Sequence, residues 1–406
     1  MPDEDTANEE KKLHLQRDAK ILLVIASLFT IGIGLSNTFV NIYLWRLEKN
    51  FKLIGIYNLF IHILTPLTFI LSGYLTKHRN GTIALRLGII FHAIFFFIIL
   101  ILREKAANYI IPLGSFLGIA AGFYWLAYQV LSFDLTNEKN RDTFNSYNGM
   151  VGALSGMFAP LTAGFIISRM EKLTGYYLVF GISLTIFIII IGISFFLKTY
   201  IFEGDFQLRN IIKSSNQSWL GITTGNYFFG IRNGVLMFLI NLLIFIVAQN
   251  ELSIGKTSLL GALISSISFR SIESFMKPER RKFFITTGTI MMFLAITPLI
   301  FKISFVYIII FIIINAFFTP FFKVPFNSAI YNIIDKSDHQ QERIEFIIYK
   351  ELVLNLGRIT GIILFLITVS LTRDISYLKI ILTAVGSSQL VIPFLIDKIN
   401  QTIEVL

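Results

Sequence analysis

Long apolar runs separated by short polar links recur along this chain from about residue 20 to about residue 395. A helix of about 20 residues is long enough to cross the roughly 30 Å of hydrocarbon in a bilayer. We count about twelve such runs, at 20–45, 53–76, 82–102, 107–133, 145–168, 175–197, 218–248, 256–276, 283–301, 304–333, 345–371 and 377–396. The pattern predicts an all-α, polytopic membrane protein with twelve transmembrane helices.

The longest polar link lies near the centre of the chain and separates six runs from six. The two sides repeat each other at an offset of about 200 residues, which indicates an internal duplication. The matching residues are Lys77 and Gly88 with Lys277 and Gly288, and Gly34 and Asn41 with Gly234 and Asn241. We therefore predict two pseudo-symmetric six-helix bundles. The predicted parts are a cytosolic tail (1–19), an N-terminal bundle (20–197), a central cytoplasmic loop (198–217), a C-terminal bundle (218–396) and a second cytosolic tail (397–406).

The composition agrees with a membrane protein and indicates its orientation. Charged residues make up 15% of the chain, whereas soluble domains carry about 25%. The net charge of +10 is spread over many short loops, and the side that carries both termini has the excess of Lys and Arg expected of the cytoplasmic side. Frequent Ile, Phe, Lys and Asn are typical of an AT-rich bacterial genome. We expect a bacterial plasma (inner) membrane protein whose basic loops contact anionic lipid and no nucleic acid.

Several classes of chemistry are not indicated. The chain has no cysteine, which excludes disulfides, thiolate metal ligands and a cysteine nucleophile. It contains no Gly-x-x-x-x-Gly-Lys-Ser/Thr, His-Glu-x-x-His or Gly-x-Ser-x-Gly motif. We therefore expect a protein that is not an enzyme, binds no metal and needs no cofactor.

A basic turn with the sequence Gly73-Tyr-Leu75-Thr-Lys77-His-Arg79-Asn-Gly81 follows the second run. It resembles the turn between helices 2 and 3 of the major facilitator superfamily, Gly-x-Leu-x-Asp-Arg-x-Gly-Arg-Lys. The resemblance covers nearly the whole chain and implies two halves that rock about a central site. Gly73, Lys77 and Arg79 would then belong to the gate. Because Lys77 stands where the family has an aspartate, a latch between the halves made as in other members is not expected.

The fifth run carries Gly152, Gly156, Pro160 and Gly164 at four-residue spacing. The segment resembles the Gly-Pro-x-x-Gly-Gly signature in helix 5 of proton antiporters that export drugs, with alanine at two of the family's glycines. Small residues at this spacing let a neighbouring helix approach closely, and a proline kinks the helix. Two interpretations stay open: tight helix packing, and an exporter-specific hinge that would add Gly156, Pro160 and Gly164 to the gate.

A lysine in the middle of the tenth run is the most informative residue of the chain. Asn315, Thr319, Lys323 and Asn327 are four residues apart and lie along one slowly drifting face of a helix. A charge this deep in hydrocarbon costs roughly 2.5–3.5 kcal/mol, so Lys323 must face water, a partner or a substrate. Arg232 lies about fourteen residues into the seventh run, too deep to reach the surface easily.

Helices 1, 4, 7 and 10 line the central cavity in the major facilitator superfamily, and each corresponding run here has a polar or aromatic stripe. The resemblance therefore implies a set of substrate-binding residues on these runs. They are Asn37, Asn41, Trp125, Tyr128, Gln129, Asn226, Arg232, Asn233, Asn241, Asn315, Thr319, Lys323 and Asn327. Alternatives stay open, since each asparagine could instead hydrogen-bond to another helix, and Trp125 and Tyr128 could be interfacial anchors.

The eleventh run carries the candidate proton-coupling residues Lys350, Glu351 and Arg358. Glu351 would be protonated and released during transport, and the alternative is an internal ion pair that only makes the charges tolerable. His62 and His92 could relay protons or could simply be hydrogen-bonded.

The predicted cavity is positively charged, which suits a carboxylate or phosphate group on the substrate. We therefore expect a monomeric secondary transporter that moves a small organic anion or zwitterion by alternating access, in proton-coupled export. Its partners would be the small-molecule solute, protons and membrane lipids. A lipid or amphiphile flippase on the same fold and a membrane substrate sensor without transport are the alternatives.

Overall fold

The computed structural model describes residues 15–137, 140–200, 206–213, 217–336, 342–371 and 376–395, and these form a bundle of long helices. The long helices are α1 (Arg17–Glu48), α2 (Phe51–His78), α3 (Gly81–Leu102), α4 (Ile110–Asp134), α5 (Arg141–Arg169), α6 (Thr174–Ser194), α7 (Gln217–Ala248), α8 (Glu251–Phe275), α9 (Arg281–Leu294), α10 (Phe305–Lys336), α11 (Arg343–Leu371) and α12 (Ser376–Ser388). Each coincides with one predicted run, so the all-α, twelve-helix prediction is confirmed. Short helices are Arg103–Tyr109, Leu208–Lys213, Thr297–Phe301 and Gln389–Val391.

Eleven helical segments in the described part of the chain are long and apolar enough to cross a membrane. One of them, Gly81–Asp134, contains both α3 and α4, so the segments account for twelve crossings. The predicted tails fall mainly outside the described residues, and the domain boundaries stay a prediction.

The predicted internal repeat is visible in two turns that are built alike. Lys49 ends α1 with a φ of 48°, and Gln249 ends α7 with a φ of 50°, a left-handed conformation that non-glycine residues seldom adopt. In both turns the backbone N–H donates to the carbonyl four residues earlier at 2.7 Å. The next residue, Asn50 or Asn250, caps the following helix through its side-chain oxygen. These turns are 200 residues apart, as the sequence repeat predicts.

Helix packing follows the same repeat. In the first half α1 packs on α5 and α6, α4 packs on α2 and α3, and α3 packs on α6. In the second half α7 packs on α11 and α12, α10 packs on α8 and α9, and the end of α9 packs on α12. The halves meet through α2 with α11, α5 with α8, and α1 with α7. We call α1–α6 the N-terminal bundle, α7–α12 the C-terminal bundle, and the side on which α1 begins the inner side.

The bundles are in close contact on the outer side, through α5 and α8. A Cβ added at Gly255 would lie 2.6 Å from the Cα of Leu161, and one added at Gly164 would lie 2.7 Å from the backbone oxygen of Glu251. Only glycine permits this approach of two backbones. The outer halves of α5 and α8 are therefore packed directly on each other.

The inner half of α5 is free of such contacts. Nothing lies within 4 Å of a Cβ added at Gly149, Gly152 or Gly156, and Tyr147 and Leu154 on other faces are exposed. Of the two open interpretations, tight helix packing therefore describes Gly164 but not Gly152 or Gly156. The space between the bundles widens towards the inner side next to α5.

Candidate functional site

Arg232 lies in the middle of α7 and is the central residue of the site. Its side chain is buried, and Nη2 donates to Oδ1 of Asn315 on α10 at 2.6 Å. Its Nε has no hydrogen-bond partner among the described residues. A buried guanidinium with an unused donor is costly unless something else binds it.

Lys323 lies two turns beyond Asn315 on α10, and its side chain is exposed although it is in the middle of a membrane-spanning helix. Its Nζ lies 5.8 Å from the ring centroid of Phe229 on α7. The charges of Arg358 and Arg232 act on it at close range. In the described part of the chain neither Lys323 nor Arg232 forms an ion pair. Lys323 does not line the cavity that extends from Arg232, so it stays a prediction that these two cations share one open space.

A cavity of about 350 Å³ extends outward from Arg232 between α7, α8 and α10. We call it the C-bundle groove. Its lining includes five predicted binding residues: Arg232, Asn233, Asn241, Asn315 and Thr319. It also includes Thr257, Ser258 and Ser265 of α8, which the sequence analysis did not select. Thr257 and Ser258 precede Ser265 by about two helical turns, and this pattern could have identified them as lining residues from the sequence.

The remaining predicted residues of α1, α7 and α10 differ in burial and in hydrogen bonding. Asn41 accepts a hydrogen bond from Nδ2 of Asn58 on α2 at 2.7 Å, which is the interhelical bond considered as its alternative role. Asn226 is buried, and its Nδ2 has no partner among the described residues. Asn37 and Asn327 are exposed. None of these four residues lines the C-bundle groove.

The predicted residues of α4 form part of an aromatic cluster. Trp125 is 41% exposed near the middle of the helix, whereas Tyr128 is buried. The Tyr128 ring is stacked on Tyr124 with centroids 5.9 Å apart. Gln129 is half-buried. Trp125 is therefore the most exposed of the three predicted residues of α4.

The candidate proton site on α11 forms a local ion pair. Oε1 of Glu351 lies 3.2 Å from Nζ of Lys350, and both side chains are mostly buried. Arg358 donates to Oδ1 of Asn355 at 3.3 Å and does not pair directly with Glu351. The same Asn355 oxygen lies 3.0 Å from Nδ1 of His62 on α2, so this histidine is hydrogen-bonded across the two bundles.

The other histidine of interest, His92, lies within the N-terminal bundle. Its Nδ1 is 2.8 Å from the backbone oxygen of Gly88, one turn earlier on α3. Its ring packs against Phe29 and Phe187. The hydrogen-bonded alternative therefore describes this residue.

On the inner side the two bundles are joined by a buried ion pair, at the place where the sequence analysis predicts a gate. Nζ of Lys77 on α2 lies 2.6 Å from Oε1 of Glu345 on α11, with side-chain exposures of 2% and 0%. The backbone N–H of Gln207 donates to the same oxygen at 3.0 Å. Beside this pair Gly73 is in direct contact with Ile348. A latch is thus present, but its carboxylate comes from the opposite bundle, which the family motif alone did not predict.

A further contact joins the bundles on the inner side, and two predicted gate residues lie in different environments. On the inner side the ring of Phe133 on α4 lies between two guanidinium groups, Arg141 at 3.9 Å and Arg343 at 3.8 Å. Arg343 belongs to α11, so this cation–π contact also joins the bundles. The predicted gate residue Arg79 is exposed at the end of α2. Pro160 is buried, and its backbone oxygen packs against α8.

On the outer side the two bundles are joined by charged and polar groups that the sequence analysis missed. Glu251, the first residue of α8, is buried and accepts from Arg46 of α1 at 2.8 Å and from the Tyr176 hydroxyl of α6 at 2.7 Å. Both partners belong to the N-terminal bundle. An acid at the start of a helix is common, so nothing in the sequence marked it as a contact between bundles.

No family model matches the chain. The uncharacterised protein YqgE of Bacillus subtilis (strain 168) is 38% identical over 356 residues, which is 87% of this chain and 83% of that protein. Among solved structures, the human organic anion transporter MFSD10 has a TM-score of 0.67 at 13% identity and covers 94% of this chain and all of its own. The nucleoside transporter NupG has a TM-score of 0.68 at 13% identity, over 94% of this chain and 99% of its own. This chain is therefore a multi-pass membrane protein that belongs to the family of YqgE and has the major facilitator fold.

Proposed function

We propose that this protein is a secondary transporter that moves a small organic anion or zwitterion across the membrane by alternating access. The observation that carries the proposal is the pairing of a buried, incompletely hydrogen-bonded Arg232 with an exposed Lys323 halfway through the helices. Both charges are costly in a membrane interior unless an anion or water compensates them. A carboxylate or phosphate would supply the missing acceptor, since arginine binds such groups with two parallel hydrogen bonds.

The fold supports this proposal. Its two bundles enclose polar groups near the middle of the membrane, where transporters of this plan bind their substrates. MFSD10, one of the similar structures, is described as an organic anion transporter, which is consistent with a positive site. The bundles are in contact on the outer side through α5 and α8 and on the inner side through Lys77 and Glu345, so solute would enter from the inner side only after this ion pair separates.

We also propose proton coupling at Glu351 and export from the cytoplasm of a bacterium, with both termini on the cytoplasmic side. Arg358 and Lys350 act on the charge of Glu351. A substrate group that donates a hydrogen bond to Glu351, or that is positively charged, favours the ionised carboxylate. Its binding would release a proton, and exchange against inward proton flow would drive export.

The first test measures binding and proton release together. Purified protein in detergent with a pH-sensitive dye would be titrated with a library of organic anions and zwitterions, for wild type, Lys323→Ala and Glu351→Gln. Lys52→Ala is a matched control, because Lys52 is an exposed lysine at the start of α2. We expect Lys323→Ala to weaken binding at least tenfold, the control to bind normally, and Glu351→Gln to bind without proton release.

Three results would contradict parts of the proposal. Binding unaffected by Lys323→Ala would remove the anion site. Proton uptake on binding would contradict export by exchange. Proton release that persists in Glu351→Gln would place the coupling group elsewhere.

Lipid flipping is a second candidate function, favoured by one observation. An apolar cavity of about 430 Å³ lies between α2 and α11 and is lined by residues such as Pro66, Leu67, Tyr349 and Leu356. Leu67 and Leu356 are more than half exposed, and this cavity could hold an acyl chain. Translocation of a fluorescent phospholipid in proteoliposomes, abolished by Lys323→Ala, would favour this function over solute transport.

A further inference from the structure

The lining of the C-bundle groove has a definite hydrogen-bonding character beyond its positive end. Three hydroxyl groups donate their protons to backbone carbonyls. They are Thr257 to Ile254 at 3.0 Å, Thr319 to Asn315 at 2.6 Å and Ser265 to Ala316 at 3.0 Å. A hydroxyl has one proton and two lone pairs. Each of these oxygens is therefore an acceptor towards anything in the groove.

An amide side chain adds to this arrangement. Nδ2 of Asn241, near the outer end of the groove, is directed to the carbonyl of Met237 at 3.4 Å, which leaves its Oδ1 as an acceptor. At the inner end the situation is reversed, because Arg232 offers an unused N–H donor. The groove thus has an unused donor at its inner end and four acceptor oxygens, those of Thr257, Thr319, Ser265 and Asn241, along its length.

The charge of the lining restricts which donors fit. Among the groove-lining residues that the structure describes, none is Asp or Glu. An ammonium group placed there would find only neutral acceptors while Arg232 repels it, so neutral donors are favoured. Hydroxyl groups are the neutral donors that small organic anions most often carry. Apolar side chains such as Leu236, Ile240 and Phe311 complete the lining and suit the carbon faces of such a molecule.

We infer, on the basis of the proposed anion transport, that the substrate is a polyhydroxylated organic anion such as a sugar acid or a sugar phosphate. Its anionic group binds at Arg232, at the inner end of the groove, and its hydroxyl groups donate to acceptors of the lining such as Thr257 and Thr319.

The test compares matched ligands on the full-length protein in detergent, by calorimetry and by thermal shift. Six-carbon sugar acids, including gluconate, are paired with hexanoate, and hexose phosphates, including glucose 6-phosphate, are paired with hexyl phosphate. Glucose tests the hydroxyl groups without the charge. Each hydrogen bond is worth about twofold to tenfold in affinity. We therefore expect the best hydroxylated anion to bind at least tenfold more tightly than its alkyl counterpart, and glucose to bind weakly.

Variants then locate the preference. Thr257→Val with Thr319→Val keeps the side-chain shape and removes two acceptors, so the preference for hydroxylated anions should fall about tenfold while alkyl anions bind as before. Ser266→Ala is the control, since Ser266 makes the same backbone bond on α8 but does not line the groove. If the double variant does not fold, the comparison of ligands on wild type decides alone.

The outcomes separate this inference from the proposed function. Equal binding of alkyl and hydroxylated anions, or tighter binding of the alkyl anions, overturns the inference and leaves anion transport standing. Binding of glucose as tight as that of gluconate contradicts the anion site and with it the proposed function. Absence of binding by every anion in the panel contradicts both.

Discussion

The ion pair between Lys77 and Glu345 allows a sharp prediction about the inner gate. Both side chains are almost completely buried between α2 and α11. When the gate opens, both charges become hydrated. Glu345→Gln removes the anion that pairs with the Lys77 ammonium. This loss destabilises the closed state, where the ammonium is buried, more than the open state, where water hydrates it, so we expect the substitution to open the gate. Replacing both residues with apolar side chains would remove both charges, and we expect the gate to stay closed.

The size of the shift between the closed and open states follows from the free-energy cost of burying a charge that has lost its ionic partner. Removing one partner of a buried ion pair costs about 3–5 kcal/mol, whereas replacing both partners with apolar residues is often neutral or stabilising. The backbone N–H of Gln207 still supports an acceptor at position 345, so the lower end of this range is the safer expectation. About 3 kcal/mol corresponds to a shift of roughly 100-fold in the equilibrium between closed and open states.

The absence of cysteine from the chain makes the assay direct. His78→Cys and Phe275→Cys introduce spin labels at exposed positions on the inner ends of α2 and α8, one in each bundle. Double electron–electron resonance would compare wild type, Glu345→Gln and the double variant Lys77→Met, Glu345→Leu. We expect longer distances only for Glu345→Gln. Unchanged distances in Glu345→Gln, or equally long distances in the double variant, would refute the reasoning.

Two further predictions concern packing and the outer gate. Glu251→Gln removes the charge that pairs with Arg46. Because Arg46 is 34% exposed and can be hydrated, we expect a modest loss of stability, about 1–3 kcal/mol, measured as a lower melting temperature. An unchanged melting curve would contradict the assignment of this ion pair. Gly357→Ala would drive a methyl group into the backbone oxygen of Tyr227 between α11 and α7, so we expect poor folding, with more than about 3 kcal/mol lost. Gly156→Ala, where nothing lies within 4 Å, is the matched control and should be neutral or stabilising by up to about 1 kcal/mol.

The helices and the deep cations could be predicted from the sequence because their signals are local. A run of apolar residues has a minimum length to cross a bilayer, and a charge such as Lys323 inside such a run is costly enough to need an explanation. The hydrogen bond from Arg232 to Asn315 joins residues 83 positions apart. It was not predicted as a pair, although both residues were selected for the same cavity.

The gates could not be predicted, for a physical reason that applies to both. Glu345 and Glu251 are the third and the first residue of their helices, where an acidic side chain is favourable in any protein. Lys77 and Glu345 are 268 residues apart, and only the packing of α2 on α11 brings them together. The family motif indicated that an acid was missing at position 77, but it did not indicate which helix would supply one.

The two bundles differ in charge at equivalent positions, which the packing identifies. An added Cβ at Gly88 would overlap the backbone nitrogen of Tyr124, and one at Gly288 would lie 2.7 Å from the backbone nitrogen of Phe322. Tyr124 and Phe322 are therefore equivalent in the two repeats. The residues that follow them are Trp125 and Lys323, and both are exposed.

A second comparison leads to the same asymmetry. Gly34 packs against Ala159, and Gly234 packs against Arg358, so a small residue of the N-terminal bundle corresponds to a cation of the C-terminal bundle. All the cations of the proposed site thus come from one repeat, where the other has an aromatic or small side chain. An anion held by Arg232 and Lys323 would move as part of the C-terminal bundle. Alternating access would then require the contacts between bundles to break while the anion's own contacts persist.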